Sequence, residues 1–131
     1  MTVKTNDGGT IQTKDFLHNG VTIPDPVNRG KWLLAGRLGY VPGPGLKAAA
    51  YASKLFTISY NEQYQNFQVA LTDKPLGKAR HEAEQFLIKT LGVTPNQLCR
   101  LNYFVMTDRH VDPKLGGKDL WFSFCPDAIP L

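Results

Sequence analysis

A single stripe of apolar residues at helical spacing limits the architectures open to this chain. Leu76, Ala79, Ala83, Phe86, Leu87 and Leu91 recur every three or four positions, while nearly all other patterned segments alternate with period two. The stripe predicts one long helix over about 75–91. Lys78–Glu82 and Arg80–Glu84 read as i,i+4 pairs on its solvent face, and Gly92 is placed to end it. Thr94-Pro95 reads as an N-cap followed by a first-turn proline, which opens a short helix over about 95–99.

Strand patterns surround these helices. Phe56, Ile58 and Tyr60 alternate with Thr57, Ser59 and Asn61; Phe67, Val69 and Leu71 alternate with Gln68, Ala70 and Thr72. The polar run between them makes the pair an antiparallel hairpin. Further strands are expected over 31–35, around Tyr103 and Val105, and over 120–124, the aromatic run Leu-Trp-Phe-Ser-Phe. An N-terminal hairpin over 2–16 turns at Asn6-Asp7-Gly8-Gly9. The expected fold is α+β: a mostly antiparallel sheet with the long and the short helix on one face. All 131 residues form one domain, with a loosely attached N-terminal third and a Gly/Pro-rich loop near 36–46. Hydrophobic residues at 42% exclude a disordered tail, and no apolar run reaches the ~18 residues of a membrane span.

Charge is distributed unevenly. The net charge is +4, yet no acidic residue lies between Asp25 and Glu62, where Arg29, Lys31, Arg37, Lys47 and Lys54 fall. Trp32, Tyr40 and Tyr51 share that stretch. Cations interleaved with aromatics track a phosphate backbone and stack bases, and they also anchor protein interfaces. Trp32, Arg37, Tyr40, Lys47 and Tyr51 are therefore the candidate binding residues, with Trp32 equally suited to the core.

Signatures of chemistry are weak. His81-Glu82-Ala83-Glu84-Gln85 starts like a zinc-protease helix but has Gln85 where the second imidazole is required. Gly116-Gly117-Lys118 is followed by Asp119, which repels phosphate and lacks the hydroxyl of a phosphate loop. Asp108, His110 and Asp112 would serve a small hydrolase only if one pocket gathered them. No metal ligands at known spacing, no cofactor and no catalytic residue are assigned. Cys99 and Cys125 either close a loop as a disulfide or lie as two buried thiols, a choice set by the compartment.

One long pattern does look familiar. It comprises Pro75-Leu76-Gly77-Lys78-Ala79-Arg80, Glu82-Ala83-Glu84, Leu87, Leu91-Gly92-Val93, Gln97-Leu98-Cys99, Leu101-Asn102-Tyr103, Ser123-Phe124-Cys125-Pro126 and Leu131. Thr13-Lys14-Asp15-Phe16 and Asp25-Pro26-Val27-Asn28-Arg29-Gly30 extend it towards the N-terminus. The pattern resembles an uncharacterised C-terminal module of small membrane-anchored proteins from candidate-phyla (ultrasmall) bacteria. Where such modules often continue Cys-Pro-Gly-Ala, this chain has Cys125-Pro126-Asp127-Ala128. The resemblance implies an exported domain without its anchor, an oxidising compartment, pairing of Cys99 with Cys125, and no catalytic residues. The expected function is a non-enzymatic extracytoplasmic module that binds a protein or a cell-surface component. The alternative is a cytosolic single-stranded nucleic-acid-binding domain that uses the basic stretch 26–61.

Overall fold

The computed structural model describes residues 1–37, 51 and 53–131. Its elements are β1 (Thr2–Lys4), β2 (Thr10–Gln12), β3 (Ile23–Pro24), β4 (Lys31–Ala35), β5 (Phe56–Asn61), β6 (Asn66–Leu71), α1 (Leu76–Leu91), α2 (Pro95–Arg100) and β7 (Asn102–Thr107). The fold is α+β, as the periodicities predict. β1 and β2 form a two-stranded hairpin; the other strands form one sheet in the order β3-β4-β5-β6-β7. Every neighbouring pair in that sheet is antiparallel except β6 and β7. The parallel pair follows from connectivity, because α1 and α2 carry the chain back before β7 begins.

Local chemistry sets the helix ends. Thr94 accepts a hydrogen bond from the Gln97 amide while the Gln97 side chain accepts from the Thr94 amide, a complete capping box. Gly92 ends α1 at φ 68°, a left-handed conformation that a residue without Cβ adopts at little cost.

Alternation along β5 and β6 turns Phe56, Ile58, Tyr60, Phe67, Val69 and Leu71 towards Ala79, Ala83, Leu87 and Leu91 of α1 in one core. Between Leu33 and Ala35 the β4–β5 register shifts, so Leu34 and Ala35 both enter that core. Leu33 stands opposite Ser59 and is also fully buried. Phe16 meets Tyr60 edge-on at 4.9 Å and Phe67 at 5.3 Å. Val3, Ile11, Phe16 and Leu17 all belong to the core.

Polar contacts fasten the first hairpin to the end of α2. The Asn6 amide donates to the Arg100 carbonyl at 2.8 Å, and Asn6 Nδ2 donates to the Cys99 carbonyl at 3.3 Å. Asp7 accepts from the Thr5 hydroxyl, from the Gly9 amide at 3.1 Å and from Arg100 Nε at 3.2 Å. These hydrogen bonds, that from Thr5 first, lower the Asp7 carboxyl from 3.8 to about 2. A carboxyl depressed by folding stabilises the native state above its ordinary value, and the benefit disappears as pH falls through the folded value. Unfolding followed against pH should therefore show stability falling from about pH 4 to about pH 2, and Asp7→Asn should flatten that window. An unchanged slope in the variant would contradict the assignment.

Two sequence expectations are corrected at the C-terminus. Residues 120–124 do not form a strand. The Leu120 amide makes one ladder-like bond to the Val105 carbonyl at 2.7 Å, and Asp119 Oδ1 accepts the Val105 amide at 3.2 Å. The chain then leaves β7 at Trp121, whose φ is 59°. The reason is the second correction: Arg80 and Glu84 are not on a solvent face but are 6% and 1% exposed. Arg80 Nη1 donates to the carbonyls of Ile129, Leu120 and Trp121 at 2.7, 3.3 and 3.4 Å. Glu84 accepts from the Ser123 amide and, at 2.8 Å, from the Ser123 hydroxyl. Backbone groups that a strand would pair with β7 are taken by helix side chains instead. Burial lowers the Arg80 pKa from its ordinary value, and the Glu84 carboxylate offsets part of that shift.

Cys99 and Cys125 form a disulfide with Cα atoms 5.6 Å apart, inside the range a bridge accepts. It ties the same C-terminal segment to the end of α2.

Candidate functional site

Helices, the first hairpin and Phe16 all pack on one face of the five-stranded sheet. The opposite face carries the other half of each alternation: Thr57, Ser59 and Asn61 on β5, Asn66, Gln68 and Ala70 on β6, Phe104 and Met106 on β7. Asn61, Asn66 and Asn102 stand in register across three strands, and Asn66 Oδ1 is buried with no hydrogen-bond partner among the described residues.

On this face lies a groove of about 630 Å³. Thr57, Ser59, Gln68, Ala70 and Met106 line it, with Lys31 and Arg37 from the β4 side and Asp25 and Asp108 from flanking turns. Its volume falls in the range of small-molecule and peptide sites. Arg37 reaches it because the chain bends at Gly36, where φ is 87° and a Cβ would sit 2.5 Å from Thr57 Oγ1 and 2.7 Å from the Phe56 carbonyl. Only glycine fits there.

Of the candidate residues read from the sequence, the three that are described, Trp32, Arg37 and Tyr51, are not brought together. Arg37 is exposed and lines the groove. Trp32 is half-buried against the core on the helix side, its ring edge-on to His18 at 5.9 Å. Tyr51 is exposed beside α1, 4.6 Å from the Phe86 ring. Tyr40, Lys47 and most of the Gly/Pro-rich loop near 36–46 lie outside the described residues. Sequence reasoning missed Lys31, Gln68 and Met106 as groove residues. Their signal was present as the outward positions of half-buried strands, without anything to say which of them lie around one hollow.

Asp108, His110 and Asp112 do not assemble a catalytic pocket. The His110 side chain is 97% exposed, and its Nε2 stands 4.0 Å from Asp108 Oδ1. Asp108 accepts the His110 amide, and Asp112 accepts those of Lys114 and Leu115, so both carboxylates close turns. Among the described residues no group of three His, Cys, Asp or Glu side chains is arranged to hold a metal ion, and no helix is long and apolar enough to cross a membrane.

An α+β domain, closed by a disulfide and hollowed on the sheet face opposite α1, is what fold and site define. Compared with known proteins, the chain matches no family model, no curated protein and no solved structure.

Proposed function

We propose that this domain is a non-enzymatic binding module of an oxidising, extracytoplasmic setting, and that it holds its ligand in the groove on the sheet face opposite α1. The observation that carries the binding reading is the groove itself, a concave surface with two cations at its edge and a floor of small polar and apolar side chains. The Cys99–Cys125 disulfide supports the setting, since such bonds persist where thiols are not kept reduced. The resemblance to exported modules agrees with both. A single-stranded nucleic-acid reading is less well supported: it needs rings beside the cations, and the two described candidate rings, Trp32 and Tyr51, lie on the other side of the sheet.

Localisation tests the setting. In cells that produce the protein natively, thiols are alkylated under denaturing acid quench, and intact cells are separately treated with external protease. The expected result is no alkylation before reduction, with digestion from outside. Two alkylated thiols, or protection until lysis, would refute the extracytoplasmic assignment.

A further inference from the structure

We infer that the ligand of this groove is an acidic peptide segment of another protein, bound in an extended conformation; the inference rests on the groove reading above. The charges around the groove are not equivalent. Asp25 Oδ1 accepts the Val27 and Asn28 amides, Asp25 Oδ2 accepts Asn28 Nδ2 at 3.2 Å, and Asp108 Oδ1 accepts the His110 amide at 2.7 Å. Both carboxylates hold their own turns in shape. Lys31 and Arg37 have no side-chain hydrogen bond or ion pair among the described residues. The groove therefore offers cations whose hydrogen-bonding capacity is unused, beside anions whose capacity is partly consumed.

Register gives the spacing. Lys31 stands opposite Asn61 and Ala35 opposite Ile58, so Lys31 and Arg37 belong to opposite ends of β4. The six residue steps from Lys31, which opens β4, to Arg37, two residues past its end, set their Cα atoms at most about 20 Å apart, and both side chains are long enough to shorten the gap between their charges. An extended peptide repeats side chains on one edge every ~7 Å and turns the alternate ones the other way. Laid over β5, such a segment would present carboxylates to both cations along its β4 edge and apolar side chains towards Ala70 along its β6 edge. Arg37 would take a carboxylate through two parallel hydrogen bonds, and Lys31 would act as a point charge. The described lining residues include no aromatic ring to stack a base or a sugar; Phe104, on the same face, stands outside the lining.

The test uses fluorescein-labelled acetyl-(Glu-Leu)4-amide, its (Lys-Leu)4 counterpart, an oligothymidylate and an oligogalacturonate, followed by anisotropy and by amide shifts in labelled protein. The Glu-Leu peptide should bind, weaken as salt is raised, and shift the amides of Thr57, Ser59, Gln68 and Ala70. Arg37→Glu should weaken it at least tenfold and Lys31→Glu severalfold, while Lys89→Glu on α1 leaves it unchanged. Equal binding of the Lys-Leu peptide, or no effect of Arg37→Glu, overturns the acidic-peptide assignment. Groove shifts caused by the oligothymidylate or oligogalacturonate, without peptide binding, also overturn it but leave the groove as the site. Absence of groove shifts with all four probes overturns both.

Discussion

Glu84→Ala is expected to destabilise the fold by about 3 kcal/mol, although a helical wheel assigns the position to solvent. The carboxylate is 1% exposed and accepts both the amide and the hydroxyl of Ser123. Truncation removes the partner of both Ser123 donors, leaves a cavity under the segment, and takes away the negative charge that supports buried Arg80. Arg80→Met should cost a similar amount while keeping the volume, because the Trp121 and Ile129 carbonyls lose their donor and the Leu120 carbonyl keeps only the Ile129 amide. Lys78→Ala, at an exposed position of the same helix, should stay within about 0.5 kcal/mol. Chemical denaturation separates these outcomes. A loss below about 1 kcal/mol for Glu84→Ala would mean that the segment is held by other contacts.

Removing the disulfide should have an effect of the same size. With Cys99 and Cys125 separated by 26 positions, the loop-closure account gives about 3 kcal/mol, or roughly 10–15 °C in Tm for a domain of this size. Reduction with a dithiol and the Cys99→Ser/Cys125→Ser double variant should agree. Phe122 stacks on Tyr103 at 4.3 Å and on Phe124 at 6.0 Å, so part of the segment stays docked by its rings when the bond is lost. The disulfide and the Arg80–Glu84 contacts hold one segment, so combined variants should lose less than the sum of the single losses. A Tm unchanged by reduction would show that the cross-link adds nothing to a segment already fixed.

Much of the architecture is legible along the chain because it is written in short-range periodicity. The period of two at Phe56–Tyr60 and Phe67–Leu71, the helical stripe from Leu76 to Leu91, the Thr94-Pro95 start and the Gly92 stop each depend on residues a few positions apart. Residues 120–124 read equally well as a strand, and there the pattern misleads. Their aromatic side chains do pack, with Leu120 and Phe122 fully buried, but their backbone polar groups bond to a helix rather than to a sheet. Candidate binding residues suffer similarly: Trp32, Arg37 and Tyr51 are close in sequence, yet the sheet lies between the groove and the two rings.

Sequence alone therefore determined both helices, the β5–β6 hairpin, the α+β class and the two cysteines that had to be either bonded or buried. Tertiary structure alone decided that β7 returns parallel to β6, that Cys99 meets Cys125, and that Thr57, Ser59, Gln68 and Met106 line one groove with Lys31 and Arg37. It also decided the environment of Arg80 and Glu84. Their carbonyl, amide and hydroxyl partners lie 39 to 49 residues further along the chain. A charged side chain on a helix is read as solvated until another segment covers it. Whether one does depends on where the chain returns after β7, and no spacing within α1 encodes that.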